Sequence, residues 1–246
     1  FLHPLAEQWR EQLCAAPAQR LAARVRPSAP AHWAEEEFAT VRWYDERLKE
    51  RLFAIAQDFS HHPQASVPEA CGSKAHTLAA YRFFSNPKVN MQVILSPHTE
   101  TTIERIRQHR IVLAPQDTTT LNYSHHPATE GLGPVNTQSD QAIGLLLHDT
   151  LAFSVEGTPL GVLDAQCWAR DPDDRGKRER RKDLPIEQKE SRKWLNSFTK
   201  LSEIQALCPN TQLVSIGDRE SDIFDLFALA TRDPAGPKLL VRAERT

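Results

Sequence analysis

The sequence predicts an α/β fold: an all-helical N-terminal domain followed by a mixed sheet with flanking helices. Three observations predict it. Apolar residues recur at helical spacing from residue 32 to about residue 90. Short apolar runs that read as strands follow at 111–114, 142–147, 151–155, 160–168, 212–216 and 238–242. Two of those runs lead directly into an aspartate, Asp117 in Pro-Gln-Asp-Thr-Thr-Thr and Asp218 in Ile-Gly-Asp-Arg-Glu-Ser-Asp. The chain therefore divides into a leader and linker at 1–31, a helical domain at 32–90 and a sheet-containing core at 91–246.

In the leader, Leu5, Trp9, Leu13, Leu21 and Val25 trace a marginal helix interrupted by Pro17, and 26–30 is a proline-containing linker. In the helical domain, Trp33, Phe38, Val41, Leu48, Leu52, Phe53, Ile55, Ala56 and Phe59 form the inward stripe, with Arg42, Arg47, Lys49 and Arg51 opposite. A further helix opens at Glu69 or Ser73, carries Leu78, Tyr81, Phe83 and Phe84, and stops at Asn86-Pro87. Basic residues beside Trp43, Tyr81 and Arg82 suit a DNA backbone by charge and shape, although taken alone this pattern usually means only a solvated helix face.

A helix over 91–110, with Ile103 and Ile106 inward, delivers the chain to the first strand. Residues 142–155 read as one long strand, 156–159 as a turn and 160–168 as its hairpin partner. The loop at 170–182 concentrates Arg175, Lys177, Arg178, Arg180, Arg181 and Lys182. An amphipathic helix over 186–208 carries Trp194, Leu195, Phe198, Leu201, Ile204 and Leu207. Ser221 or Asp222 caps a helix over 223–231, and 238–242 is the last strand.

The formal net charge of -2 gives no overall electrostatic case for nucleic acid, so local patches must carry one. Four cysteines, far apart and without a Cys-x-x-Cys pair, indicate neither a zinc knuckle nor a disulfide framework and suit a reducing cytoplasm. Residues 1–21 are too polar for a signal peptide or membrane span. The pairs His61-His62 and His125-His126 lack ligand spacing and read as solvent-exposed.

Three strands in an antiparallel meander that continue through helical crossovers into parallel strands form a ribonuclease H-like arrangement. That topology brings the ends of its first and fourth strands together, where Asp117 and Asp218 fall. A lone aspartate in such a place is ordinarily a strand-end or helix-cap residue. Two neighbouring carboxylates repel unless a cation lies between them, and Mg²⁺ takes hard oxygen ligands and keeps several waters. Two such ions about 3.5–4 Å apart support in-line displacement at phosphorus.

Several stretches extend this reading: Trp33-Ala-Glu-Glu-Glu-Phe38, Ala80-Tyr-Arg-Phe-Phe-Ser-Asn-Pro87, Gln116-Asp-Thr-Thr119, Gly161-Val-Leu163 leading to Trp168, Lys189-Glu-Ser-Arg-Lys-Trp-Leu195 and Gly217-Asp-Arg-Glu-Ser-Asp-Ile223. In their order and spacing, from about residue 32 to the end, the chain resembles bacterial DDE transposases of the Tn-five (IS-four) type. The resemblance implies a helical domain that binds transposon-end DNA and a ribonuclease H-like catalytic core. Asp117 and Asp218 match the first two acids of the triad and would hold Mg²⁺, with Mn²⁺ able to substitute. The implied reaction cuts double-stranded DNA at the element's ends through a hairpin intermediate and joins the 3′-hydroxyls to target DNA. A homodimer on DNA is expected for the complete protein, cytoplasmic and nucleoid-associated, with no membrane partner. Arg42, Arg47, Lys49, Arg51, Lys74 and Arg82 are the expected backbone-contacting residues.

The family's third acid is a glutamate in a Tyr-x-x-Arg-x-x-x-Glu helix beyond the fifth strand. No residue of the 246 matches it, and Glu187 and Glu190 belong to a different motif. The expectation is a chain truncated before that acid. The alternatives are an inactive DNA-binding or inhibitory remnant, and a ribonuclease H-like nuclease unrelated to transposition.

Overall fold

All of the N-terminal helices but the first are set by side chains that satisfy free amides at their starts. In the computed structural model, which describes residues 32–43, 45–126, 128–135, 142–172 and 184–244, α1 spans Trp33–Glu37 and α2 spans Glu46–His61. Asp45 caps α2 by accepting from the Arg47 amide at 3.0 Å. Ser66 and Glu69 form a capping box on the short α3, Val67–Ala70. Ser73, one of the two expected starts, caps α4, Lys74–Phe84, and Asn90 caps α5, Met91–Ile106. The leader and the six basic residues of the 170–182 loop lie outside the described residues.

The helical domain is not helical throughout. Residues 41–43 lie outside any helix, with Val41 and Trp43 buried and Arg42 exposed between them. Trp43 meets Phe83 edge-on at 5.7 Å, and Leu52, Ile55, Cys71 and Ala80 complete this small core.

Glu37, at the end of α1, ties this domain to the next. It accepts from His98 Nδ1 at 2.5 Å and from both terminal nitrogens of Arg105, each on α5. Arg105 also donates to the Leu160 carbonyl at 2.9 Å. The Val162 amide donates to His98 Nε2 at 2.8 Å, which places the ring proton on Nδ1, toward Glu37. Burial alone would raise the Glu37 carboxyl, but the hydrogen bonds from His98 and Arg105 outweigh it and hold its pKa below the usual range. Because Arg105 is 37% exposed, Glu37→Ala should cost less than a fully buried pair, about 2 kcal/mol. A urea melt should show a lower midpoint with unchanged slope, and an unmoved midpoint would refute the coupling.

One mixed sheet forms the second unit, from β1 (Ile111–Asn122), β2 (Gly133–Pro134), β3 (Ile143–Ser154), β4 (Pro159–Trp168), β5 (Gln212–Gly217) and β6 (Lys238–Val241). β3 pairs antiparallel with β1 and with β4, and also with β2 at its start. β1 then pairs parallel with β5, and β5 parallel with β6, giving the order β4-β3-β1-β5-β6. The crossovers are α6, Arg192–Leu207, before β5 and α7, Phe224–Ala230, before β6. Val112, Ala114, Ala152 and Leu213 pack with Ile103 and Ile106 of α5 and Leu201 and Ile204 of α6. Trp194 and Phe198 of α6 pack with Leu226 of α7. No helix among the described residues is long and apolar enough to cross a membrane.

Two elements differ from expectation. β1 does not stop at residue 114: it runs to Asn122, because β3 continues to pair with Thr118, Thr119, Thr120, Leu121 and Asn122 after β5 has ended. The helix expected at 186–208 begins only at Arg192, after an isolated 3-10 turn at Ile186–Gln188. Between the two, Glu190 reaches back to Arg170, accepting from its Nε at 2.5 Å and its Nη2 at 2.9 Å.

Candidate metal centre and nucleic-acid interface

The parallel pairing of β1 with β5 sets the candidate carboxylates side by side. Its last pair is Pro115↔Ile216, and the same register continued two residues puts Asp117 across from Asp218. On the other side of β1, Asp117 is paired with Asp149 of β3. Three aspartates thus fall in one row over β3, β1 and the end of β5, where residues facing one another across a sheet share a face. Asp117 lies inside β1 rather than beyond it, since β1 is longer than its apolar run suggests.

Each candidate acid uses one oxygen locally. Asp117 Oδ1 accepts from the Thr118 amide at 2.8 Å, and Asp218 Oδ1 accepts from the Glu220 amide at 2.8 Å, capping the 3-10 turn Arg219–Ser221. The cap expected of Ser221 or Asp222 is not made: the N-cap position of α7 is Ile223, with no side-chain cap, and Asp218 caps only the preceding 3-10 turn. Both aspartates are exposed, and neither Oδ2 has a partner among the described residues. Burial, and then the charge of Asp117, raise the Asp149 carboxyl above its ordinary range. Exposed, hard and partly unpartnered oxygens fit a hydrated Mg²⁺. Among the described residues, however, no group of three or more His, Cys, Asp or Glu side chains is arranged to hold a metal ion.

The surroundings hold the row in place. A Cβ on Gly217 would fall 2.2 Å from Ser221 Oγ and 3.2 Å from the Trp194 ring, so the residue before Asp218 must be small. Lys193, whose side chain is only 10% exposed, donates to Glu220 at 3.0 Å and ties α6 to the Asp218 turn. Glu190 is engaged by Arg170 and is not part of the row.

Beneath the row lies His148, fully buried, with Nδ1 2.9 Å from Thr118 Oγ1 and its ring edge-on to Trp194 at 4.6 Å. His148 Nε2, Thr150 Oγ1 and Trp194 Nε1 are buried with no hydrogen-bond partner among the described residues. Burial, and then the nearby Lys193, push the His148 pKa down to about 4 against the opposing pull of Asp117 and Asp218. The sequence reading passed over His148 because it sits inside the apolar run Leu145-Leu-Leu-His-Asp-Thr150, read only as strand.

The six expected DNA-contacting residues do not gather at one place. Arg42 and Arg47 line one cleft of about 640 Å³ together with Trp43, Asp45, Glu46, Leu48 and Lys88. Lys49 turns instead to Glu46 at 2.7 Å, and Arg51 is half-buried. Lys74 and Arg82 lie exposed on α4, which also exposes Leu78 and Tyr81. His61, His62, His125 and His126 are all exposed, and Cys71, Cys167 and Cys208 are free.

Residues 30–89, which include both the cleft and α4, match the family model described as transposase DNA-binding. The match covers roughly a quarter of the chain, and over that stretch the protein carries a transposase DNA-binding domain.

Proposed function

We propose that this protein is a Tn-five-like DDE transposase, with a DNA-binding domain and a core carrying the first two catalytic acids, that cuts and rejoins DNA at transposon ends. The observation that supports this reading is the parallel register of β1 and β5, whose last pair is Pro115↔Ile216 and which, continued two residues, aligns Asp117 with Asp218. The strand order β4-β3-β1-β5-β6, with its antiparallel and parallel halves, supports a ribonuclease H-like core. The matched domain at 30–89 supports DNA as the partner.

In this reading Asp117 and Asp218 hold Mg²⁺, or Mn²⁺ in its place, through the oxygens they leave unpartnered. When bound, the ion supplies Lewis-acid activation of the attacking oxygen and neutralises charge at the phosphate. The chain's own residues fix the geometry. β1 and β5 set the carboxylate separation, Gly217 lets the turn close on Ser221, and Lys193 holds that turn through Glu220. Water attacks phosphorus, the bond to the 3′ oxygen breaks, and the 3′-hydroxyl so formed later attacks target DNA. The third acid, the pairing of two subunits on DNA and a nucleoid-associated cytoplasmic location are part of this proposal.

The test is nicking of transposon-end DNA with Mg²⁺ by a chain extended to include the third acid. Asp117→Ala and Asp218→Ala should each abolish nicking and spare DNA binding, and nicking retained by either variant would overturn the assignment. A second reading, an inactive DNA-binding remnant, is motivated by the matched DNA-binding domain beside a core in which no residue matches the third acid. It predicts end-specific binding by this chain with no metal-dependent cleavage in any length of the native product.

A further inference from the structure

We infer that the cleft between the start of α2 and the turn after α4 is an anchor for one backbone phosphate of double-stranded DNA, gripped by Arg42, Arg47 and Lys88. The inference rests on the DNA-binding reading above and names where and how the duplex is held. Lys88 was no part of the sequence reading, which took the preceding Asn86-Pro87 as a helix stop.

Charge in the cleft is less balanced than its composition suggests. Its lining holds three cations and two acids, and the charge of Glu46 is met by Lys49 from outside the lining. Asp45 caps α2 through the Arg47 amide at 3.0 Å, and Glu46 accepts from Lys49 at 2.7 Å. The side chains of Arg42, Arg47 and Lys88 have no acceptor among the described residues, and all three residues are exposed. The surplus is therefore positive and faces solvent, the condition for capturing a phosphate diester.

The cations are also held in place. Trp43, 8% exposed and packed on Phe83, donates its indole Nε1–H to the Lys88 carbonyl at 3.1 Å. That bond joins the segment bearing Arg42 to the turn bearing Lys88. The turn is fixed a second time, because Asn86 Oδ1 accepts from the Lys88 amide at 2.9 Å and the Asn86 carbonyl from the Val89 amide at 2.9 Å. Arg47 stands in the first turn of a sixteen-residue helix whose dipole adds to the positive field. Three cations carried by two locked segments and a helix start form a seat for an anion, with no base edge needed for recognition.

Fluorescence anisotropy of the full chain on labelled duplexes, one with transposon-end sequence and one unrelated, tests the proposal. Lys88→Gln and Arg47→Gln should each weaken both duplexes equally, about three- to tenfold at low salt, and lower the slope of log affinity against log salt by about one. Lys200→Gln, an equal change of charge on α6, should alter neither. Inorganic phosphate at matched ionic strength should displace no more DNA than chloride does, and stronger displacement would make this a free-phosphate site and overturn the proposal. Wild-type binding with unchanged affinity and slope in both cleft variants would overturn the cleft alone. A wild type that binds no duplex would overturn the DNA-binding reading and the cleft with it.

Discussion

Titrated with Mn²⁺, the protein is expected to bind an ion whose hexaaqua EPR signal disappears on binding, and Asp117→Ala and Asp218→Ala should each weaken binding by about 100-fold or more. The size follows from the ligand count. With two carboxylates lending one free oxygen each, losing either leaves a single monodentate ligand and an ion held mostly by water. Asp149→Asn should do less, since Asp149 acts on the row mainly by charge and its carboxyl is already raised by burial and by Asp117. Equal affinity in wild type and the Asp117 and Asp218 variants would remove the metal from the proposal while leaving the fold untouched.

Acid should destabilise the fold through His148 as strongly as any single substitution considered above. Its folded pKa, about 4, lies below the ordinary value of 6.5, so the unfolded chain binds a proton that the folded chain refuses. The stability associated with the neutral ring is complete above pH 6.5 and is lost as pH falls toward about 4, by about 3 kcal/mol in all. The groups facing the ring are Lys193, which opposes protonation, and Asp117 and Asp218, which favour it. Urea melts over this range should show the loss in wild type and a flatter profile in His148→Asn. Glu37 adds its own loss only at lower pH, because its carboxyl is held below the usual range. A wild-type profile flat from pH 6.5 to 4 would mean that the ring reaches water.

Strands and helices with a clear apolar period were legible in the sequence, including β3, β4, β5 and the amphipathic part of α6. The second half of β1 was not, because Thr118-Thr-Thr120 carries no apolar alternation and is a strand only through its pairing with β3. Asp117 and Asp218 could be chosen from their place after apolar runs, and their shared row follows from register, which appears only once strands pair. His148, Lys88 and the Glu37–His98–Arg105 cluster left no local signal. Each owes its role to contacts across long sequence separations, such as His148 with Trp194 and Trp43 with Lys88.

β1 changes neighbours partway along its length, and its amides should record the change. In the parallel half, the Gln212 amide bonds the Arg110 carbonyl, which fixes the even-numbered positions of β1 as those facing β5. Beyond Gln116 that side has no strand partner among the described residues. Asp117 answers for the first even amide there, Thr118, while Thr120 and Asn122 point into the same gap. Hydrogen exchange should therefore alternate along 117–122: slow at Asp117, Thr119 and Leu121, whose amides face β3, and fast at Thr120 and Asn122. Thr118 should be slow in wild type and join the fast set in Asp117→Ala, so one residue's exchange rate reports whether the carboxylate is in place before any metal is added.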